Sequence, residues 1–310
     1  MTTRPKTYEI TPYHDLSVKS RGKRIAKLPE NIKTSSGSDL YNQISNATGL
    51  SAHRLRITSI DDPKLVISHN LKPLPDITGV EIKDLGPQIP WRTVFVVEYL
   101  GPLLIHPLVY YLRPFVYPNT PGVMSEPSYA QWLSLVLVST HFAKREFETL
   151  FVHRFSLATM PAFNIFKNSA HYWLLAGANI AYWTYSPTAT AASLTKVNSF
   201  ILVGLGLFAV GEIGNLITHL QLRSLRPQGS TVRQIPRGLG FGLVTCPNYM
   251  FETIAWVGIC LVNLSWSTVL FTGVAVAQMA AWAWKKEKRL RQDFGDKYKK
   301  KRFAMIPGLI

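Results

Sequence analysis

Ionisable side chains stand inside, or at the ends of, long apolar stretches of this chain. Glu98 lies in the first stretch, while Lys144 and Glu148 lie four residues apart on one helical face of the second, together with His141 and Arg145. Burying such groups in hydrocarbon is costly, so they indicate binding or catalysis. The alternative is that they make interhelical hydrogen bonds or snorkel to the membrane surface.

A second group of polar residues surrounds a loop rich in glycine and arginine. It comprises Glu212, Asn215, His219, Arg223, Arg226 and Arg233 and, after the loop, Asn248, Tyr249 and Glu252. Pro247 suits the first position of a helix, with Thr245 or Cys246 as its cap. The free N–H groups of a helix start attract anions, so this region predicts a phosphate cradle. The GxGxxG fingerprint is absent from the sequence, so a nucleotide would bind inside a helical bundle.

Membrane helices must position these residues. Crossing a hydrocarbon core about 30 Å thick takes about 20 residues. Six stretches qualify, at residues 93–112, 129–150, 168–185, 199–220, 247–265 and 268–284. The second departs most from a simple span, because the charges in its later turns are costly in lipid.

The distribution of charge orients the predicted spans. The chain has 310 residues, with 34 Lys+Arg against 18 Asp+Glu and a formal net charge of +16, yet only 17% of its residues are charged. Much of the excess lies in the loop 223–237 and the tail 285–302. With six spans, both regions and both termini fall on the cytosolic side, as the positive-inside rule requires. Five or seven spans would place the tail opposite the arginine loop.

The same distribution bounds the partners. We interpret the tail cations as orientation signals held against an anionic leaflet, and the arginine loop as the part that meets ligand phosphates. Few aromatic residues interleave with the basic tail, so nucleic acid is not an expected partner. Two cysteines provide neither a disulfide framework nor a metal-ligand spacing, so no metal site is expected.

Residues 1–86 are predicted to form a separate domain. Their start is polar and lacks the apolar core of a signal peptide. Strand-like segments at residues 8–10, 54–58, 65–67 and 80–82 surround a helix over residues 38–48, which Ser38 or Asp39 could cap. This pattern favours a ubiquitin-like β-grasp module, and a generic α+β domain is the alternative.

Several segments carry a resemblance to a known family. They are DLGPQIPWRTVFVVEYLGP (84–102), HFAKREFETLFVHRFSLATMP (141–161), FNIFKNSAHYW (163–173), PNYMFE (247–252) and the tail ending AMIP. The chain resembles the very-long-chain trans-2-enoyl-CoA reductases of the endoplasmic-reticulum fatty-acid elongation cycle, within the steroid 5α-reductase superfamily. The resemblance implies a multi-span α-helical membrane domain at 87–310 behind a ubiquitin-like domain at 1–86.

The resemblance also implies an activity and a site. The activity is the NADPH-dependent reduction of a very-long-chain 2,3-trans-enoyl-CoA. Tyr249 occupies the family's essential tyrosine position and is the expected acid, since a phenol stays protonated at neutral pH. The other positions that match activity-linked residues of the family are Gln88, Glu98, Lys144 and Glu148. The positions similar to NADPH contacts are Asn215, Arg226, Arg233, Asn248 and Glu252, and we add His219 and Arg223 from the same face and loop.

Two positions depart from the family pattern, and other functions remain as alternatives. His219 stands where an acidic residue is expected, and Phe142 follows His141 where relatives often have tyrosine. The rival enzymes are a steroid or polyprenol reductase and an isoprenylcysteine-type methyltransferase. The rival from another class is a non-catalytic scaffold in the endoplasmic-reticulum membrane. The resemblance further implies contact with membrane lipid. It also makes other elongase-cycle enzymes candidate partners.

Overall fold

A computed structural model describes residues 13–155, 158–225, 234–298 and 303–309 of the chain. The chain divides into two compact units. The first comprises Met1–Pro90 with Ala158–Phe163, and the second comprises Trp91–Leu157 with Asn164–Ile310. The predicted sites at Arg226 and Arg233 and the predicted strand at residues 8–10 lie outside the described residues.

The first unit is built on a five-stranded mixed sheet. Its strands are β1 (His14–Ser20), β2 (Asn31–Thr34), β3 (Leu55–Ser59), β4 (Val66–Ile67) and β5 (Gly79–Asp84), in the order β2-β1-β5-β3-β4. The β1–β5 pair is parallel and the other pairs are antiparallel. Helix α1 (Gly37–Thr48) contributes Leu40 and Ile44 to the same core as Ile57 of β3 and Ile82 of β5. A short ribbon completes the unit, with β6 (Gln88–Pro90) antiparallel to β7 (Thr159–Pro161).

The cap of α1 differs from the prediction. Neither Ser38 nor Asp39 caps the helix; Ser36 does, because its hydroxyl accepts a hydrogen bond from the Asp39 backbone N–H at 3.3 Å. The Asp39 carboxylate instead accepts from Thr34 Oγ1 at 2.8 Å and from Gln43 Nε2 at 3.0 Å. The helix therefore begins earlier than its apolar positions indicate.

The second unit is helical. Its helices are α2 (Trp91–Tyr111), α3 (Arg113–Val116), α4 (Tyr129–Phe147), α5 (Asn164–Ala170), α6 (Ile180–Tyr185), α7 (Ser199–Ser224), α8 (Pro247–Asn263) and α9 (Trp266–Phe294). A π-helical turn (Glu148–Val152) continues α4, and a longer π-helix (His171–Asn179) joins α5 to α6.

Three helices in the described part of the chain are long and apolar enough to cross a membrane. They are α2, α7 and α9, the last counted together with the short turn that follows it, from Trp266 to Lys297. Large apolar side chains remain exposed on them, such as Leu104, Leu108, Ile213 and Val269, as expected of helices that face lipid. The other three predicted spans are also helical, but α4 carries charge in its last turns and α8 has 17 residues. The count of six spans stays a prediction.

Helices α7 and α8 pack closely, because glycine lets their backbones approach. A Cβ on Gly258 would lie 2.6 Å from the carbonyl oxygen of Gly204, and one on Gly204 would lie 2.7 Å from that of Gly258. This contact fixes the position of α8 against α7, and both helices carry predicted site residues.

The C-terminal segment holds the start of α8. The backbone N–H of Thr245 donates to the Phe303 carbonyl at 3.2 Å, and that of Cys246 donates to the Ala304 carbonyl at 2.9 Å. On α9, the Glu287 carboxylate accepts hydrogen bonds from the hydroxyls of Thr245 and Tyr298. Pro247 occupies the first turn of α8 and Cys246 the N-cap position, as predicted.

Candidate active site

Helices α4 and α7 meet at a buried ionic cluster. The Glu212 carboxylate lies between two basic side chains, with His141 Nδ1 at 2.6 Å from Oε1 and Lys144 Nζ at 2.7 Å from Oε2. Lys144 Nζ also donates to Asn215 Oδ1 at 2.7 Å. All four side chains are buried or nearly so, and this satisfies the rule that buried charge must be paired.

The cluster continues into α8 through Asn215. Its Nδ2 donates to the Asn248 carbonyl at 2.9 Å and to Glu252 Oε2 at 3.0 Å. His141 Nε2 lies 3.4 Å from Glu252 Oε1. The amide of Asn215 is thus engaged by protein groups on both sides, so it positions Lys144 and α8.

A second carboxylate lies where α4 widens into the π-helical turn. Glu148 is fully buried; Arg145 Nη1 donates to its Oε2 at 2.8 Å, and Lys144 Nζ lies 3.6 Å from its Oε1. Arg145 also donates to the Tyr99 hydroxyl at 2.8 Å, and its guanidinium lies 5.0 Å from the centre of that ring. Single π-turns inside helices are frequent at functional sites. Here the turn puts Glu148 among these cations.

A cavity of about 420 Å³ opens beside this cluster, within the usual size range of small-molecule sites. Its polar lining residues are His153, Arg154, His219, Arg223, Gln234, Asn248, Lys286, Arg289 and Asp293. The cavity therefore favours an anionic ligand.

Unsatisfied polar atoms lie in or just behind the cavity wall. Four buried atoms, namely Glu148 Oε1, His153 Nδ1, His219 Nδ1 and Asn248 Oδ1, make no hydrogen bond to any described residue. The first and third lie 3.0 Å apart but are not aligned as a hydrogen bond. Buried polar atoms are rarely left unpaired in native proteins. His153 and Asn248 line the cavity, so their atoms are available to a ligand that fills it, whereas Glu148 Oε1 and His219 Nδ1 lie against each other.

Three of these residues could also hold a metal ion by geometry alone. The candidate ligand atoms of Glu148, His153 and His219 lie within 4.8 Å of one another. However, Arg145 and Lys144 already approach the same carboxylate, and their positive charge opposes a bound cation. The arrangement suits a polar or anionic organic ligand better.

The structure brings most of the predicted residues together. Lys144, Glu148, Asn215 and Glu252 lie in the cluster. His219, Arg223 and Asn248 line the cavity.

Three predicted catalytic residues lie outside this group. Tyr249 lies in the first turn of α8, but its ring packs beside Cys246 and lies 6.5 Å from that of Trp282. Glu98 is buried in α2, where its Oε1 makes no hydrogen bond to a described residue. Gln88 belongs to the first unit, where its Oε1 accepts from Thr159 Oγ1 at 3.3 Å.

The site also contains residues without an assigned catalytic or cofactor role. His141, Arg145 and Glu212 fall on the helical faces that the cost of burying charge singles out in the sequence. His153 and Arg154 follow the π-turn directly. Lys286 and Arg289 belong to the basic tail that is interpreted as an orientation signal, and they also line the cavity.

The chain is similar to several known proteins. The family described as 3-oxo-5-alpha-steroid 4-dehydrogenase matches residues 158–310. The chain is 40% identical over 312 residues to a very-long-chain enoyl-CoA reductase of Dictyostelium discoideum, covering 95% of this chain and 100% of that protein. It is 42% identical to a candidate enoyl reductase of Schizosaccharomyces pombe, covering 94% and 98% of the two chains. It is also 32% identical to the human trans-2,3-enoyl-CoA reductase-like protein, over 73% of this chain and 63% of that protein.

Proposed function

Since the chain belongs to the family of very-long-chain enoyl-CoA reductases, we propose that it reduces 2,3-trans-enoyl-CoA thioesters to saturated acyl-CoA with NADPH. One observation carries the proposal: a cavity lined by cations and by unpaired polar atoms lies beside a buried ionic cluster. A reductase that binds a nucleotide within a helical bundle needs such a cavity, and the chain contains this site along with whole-length similarity to reductases.

NADPH, when bound, supplies the hydride for the β-carbon of the enoyl thioester. The lining residues fit its polar groups, since the unpaired Oδ1 of Asn248 can accept from an amide and Arg223 can pair with a phosphate. Asn215 and Glu252 hold α7 and α8 in place. We include Arg226 and Arg233 in the cofactor site on the family resemblance alone.

The reaction also needs a proton and a donor for the developing negative charge. Reduction at the β-carbon leaves an enolate on the thioester, which a hydrogen-bond donor stabilises until the α-carbon is protonated. We assign the proton donor to Tyr249, because a tyrosine phenol stays protonated at neutral pH and can donate a hydrogen bond. Glu98 would position the thioester region, and Gln88 is kept among the activity-linked residues on the family resemblance alone. Lys144 and Glu148 would act as an ion pair, whose positive and negative charges balance within the site.

The decisive assay uses purified protein in detergent with NADPH and a long-chain trans-2-enoyl-CoA. We expect loss of NADPH absorbance and formation of the saturated thioester. Tyr249→Phe should abolish turnover while Tyr182→Phe, at an exposed tyrosine, should not. An inactive wild type that still binds NADPH would refute the reaction, and an active Tyr249→Phe would refute only the assignment of the proton donor.

A steroid substrate is the second candidate, because the family that matches residues 158–310 is described by a steroid reaction. The same assay with a 3-oxo-4-ene steroid in place of the thioester distinguishes the two. Turnover of the steroid alone would select this alternative.

We place the protein in the endoplasmic-reticulum membrane, in the fatty-acid elongation cycle, with six spans and both termini cytosolic. The apolar helices α2, α7 and α9 support membrane insertion. A glycosylation acceptor in the loop 113–128 should be modified, and one after residue 310 should not. Modification at the tail would overturn the topology. Association with other elongase-cycle enzymes would follow from this location and can be tested by co-purification.

We further propose that residues 1–86 form a ubiquitin-like β-grasp domain and that 87–310 form the catalytic domain. The sheet order β2-β1-β5-β3-β4, with α1 following the first hairpin, supports the β-grasp assignment. Expression of 87–310 alone tests the division, since retained turnover would locate catalysis there.

A further inference from the structure

The basic tail begins inside helix α9, and one of its faces lines the cavity. Lys286, Arg289, Leu290 and Asp293 are the cavity-lining residues of this helix. Their spacing of i, i+3, i+4 and i+7 is that of a single helical stripe. Lys288 is about 200° around the helix from Lys286 and does not line the cavity. The helix therefore directs only some of its cations inward.

The inward cations join others from distant parts of the chain. Arg154 follows the π-turn, Arg223 lies in the last turn of α7, and both line the same cavity as Lys286 and Arg289. Among the described residues, Asp293 is the one carboxylate of this lining. Cations that converge on one concavity repel each other and concentrate a positive potential there. Membrane orientation requires basic residues on the correct side of the membrane, but it does not require them to converge in this way.

We propose that Lys286 and Arg289 bind a phosphate of the nucleotide ligand, so that this part of the cavity is a phosphomonoester subsite. The proposal rests on the proposed function for the identity of that ligand. NADPH carries a phosphomonoester on its adenosine ribose, and so does coenzyme A. A guanidinium and an ammonium complement a phosphate dianion, the first through two parallel N–H donors and the second as a point charge.

The test measures binding and turnover in Lys286→Gln and Arg289→Gln, with Lys288→Gln as the matched control on the outward face. All three variants remove one positive charge from the same helix. The ligands are two pairs that differ by the phosphomonoester: NADPH against NADH, and a long-chain enoyl-CoA against its 3′-dephospho form. The affinity for each nucleotide is measured from the change in fluorescence on binding. The KM of the reaction is measured for each thioester.

We expect each inward variant to weaken the phosphorylated member of one pair about tenfold, the size of one charge-assisted hydrogen bond, and to leave the other member unchanged. Selective loss of NADPH affinity would assign the subsite to the cofactor, and a selective rise in KM for the enoyl-CoA would assign it to the substrate. The selectivity should shrink at high salt, because exposed charges are screened.

Three results would overturn the proposal: inward variants that match Lys288→Gln, inward variants that weaken both members of a pair equally, or a wild type that discriminates within neither pair. Failure of the proposed function is a separate result. A wild type that prefers NADPH over NADH in binding but reduces no enoyl-CoA would refute the reaction, and the loss of that preference in the inward variants would still support the subsite.

Discussion

Replacing Glu212 by glutamine tests whether the buried cluster joins α4 to α7. The substitution keeps the shape of the side chain but removes its charge. One terminal atom would become an NH₂ group, which would face either the ammonium of Lys144 or the ring of His141, now 2.7 Å and 2.6 Å from the two carboxylate oxygens. An NH₂ group that faced Lys144 would place two donors in contact, and in either orientation the ammonium of Lys144 would lose the charge that pairs with it.

The expected loss follows from the remaining partners. Breaking a buried ion pair from one side costs about 3–5 kcal/mol, because the other charge stays buried. Lys144 keeps Asn215 Oδ1 at 2.7 Å and has Glu148 Oε1 at 3.6 Å, so we expect the lower end of that range. For a unit of this size, about 3 kcal/mol corresponds to a fall of roughly 6–12 °C in the unfolding temperature.

The assay is a double-mutant cycle on the full chain in detergent, with Glu212→Gln, Lys144→Met and the double variant. We expect the double variant to lose less stability than the sum of the single variants, because each single change leaves an unpaired buried charge. Glu126→Gln, at an exposed carboxylate, is the control and should change stability by less than about 0.5 kcal/mol. Strictly additive losses would show that the two side chains do not interact, and the reasoning would fail.

Three further predictions concern other parts of the chain. Glu287→Gln should weaken the contact between the C-terminal segment and the start of α8, raising the Kd for NADPH several-fold; an unchanged Kd with intact folding would separate the segment from the site. The Arg54 guanidinium lies 2.6 Å from the Asp84 carboxylate and lowers its pKa. This carboxylate therefore stabilises the first unit at pH values above its unfolded pKa of about 3.9, and the stabilisation is lost as the pH falls through the lowered pKa. Hydrogen exchange of β5 against pH should show this loss in the wild type and not in Asp84→Asn, and identical profiles would contradict it. Gly258→Val should force α8 away from the Gly204 carbonyl and lower stability by about 1–3 kcal/mol in thermal unfolding. Gly273→Ala, at a glycine with open space around it, should not lower stability. Equal effects of the two variants would contradict the close packing of α7 and α8.

Much of the helical part could be predicted from the sequence, because long apolar stretches and helix signals are local. All six predicted spans coincide with helices, and Pro247 begins α8 as expected. Predictions failed where local signals were weak. The sequence favours Ser38 or Asp39 as the cap of α1, whereas Ser36 caps it. The sequence does not predict β1 and β2, because neither contains a run of β-branched or aromatic residues.

The sequence by itself determined which polar and charged residues stand out within the apolar stretches that contain them. Charged side chains in apolar stretches are detectable from composition and spacing, since the cost of removing a charge from water arises whichever partner it later meets. Lys144, Glu148, Asn215 and Glu252 were selected in this way or through the family resemblance.

Only the tertiary structure decided what those residues contact. Lys144 and Glu212 are far apart in the chain, and their pairing depends on how α4 and α7 pack. The same holds for Lys286 and Arg289, which cannot be distinguished from Lys288 by the sign of their charge or by their sequence neighbours. The direction of a helical stripe becomes meaningful only when the neighbouring elements are in place, because a cation toward water and a cation toward a cavity differ in surroundings and not in sequence.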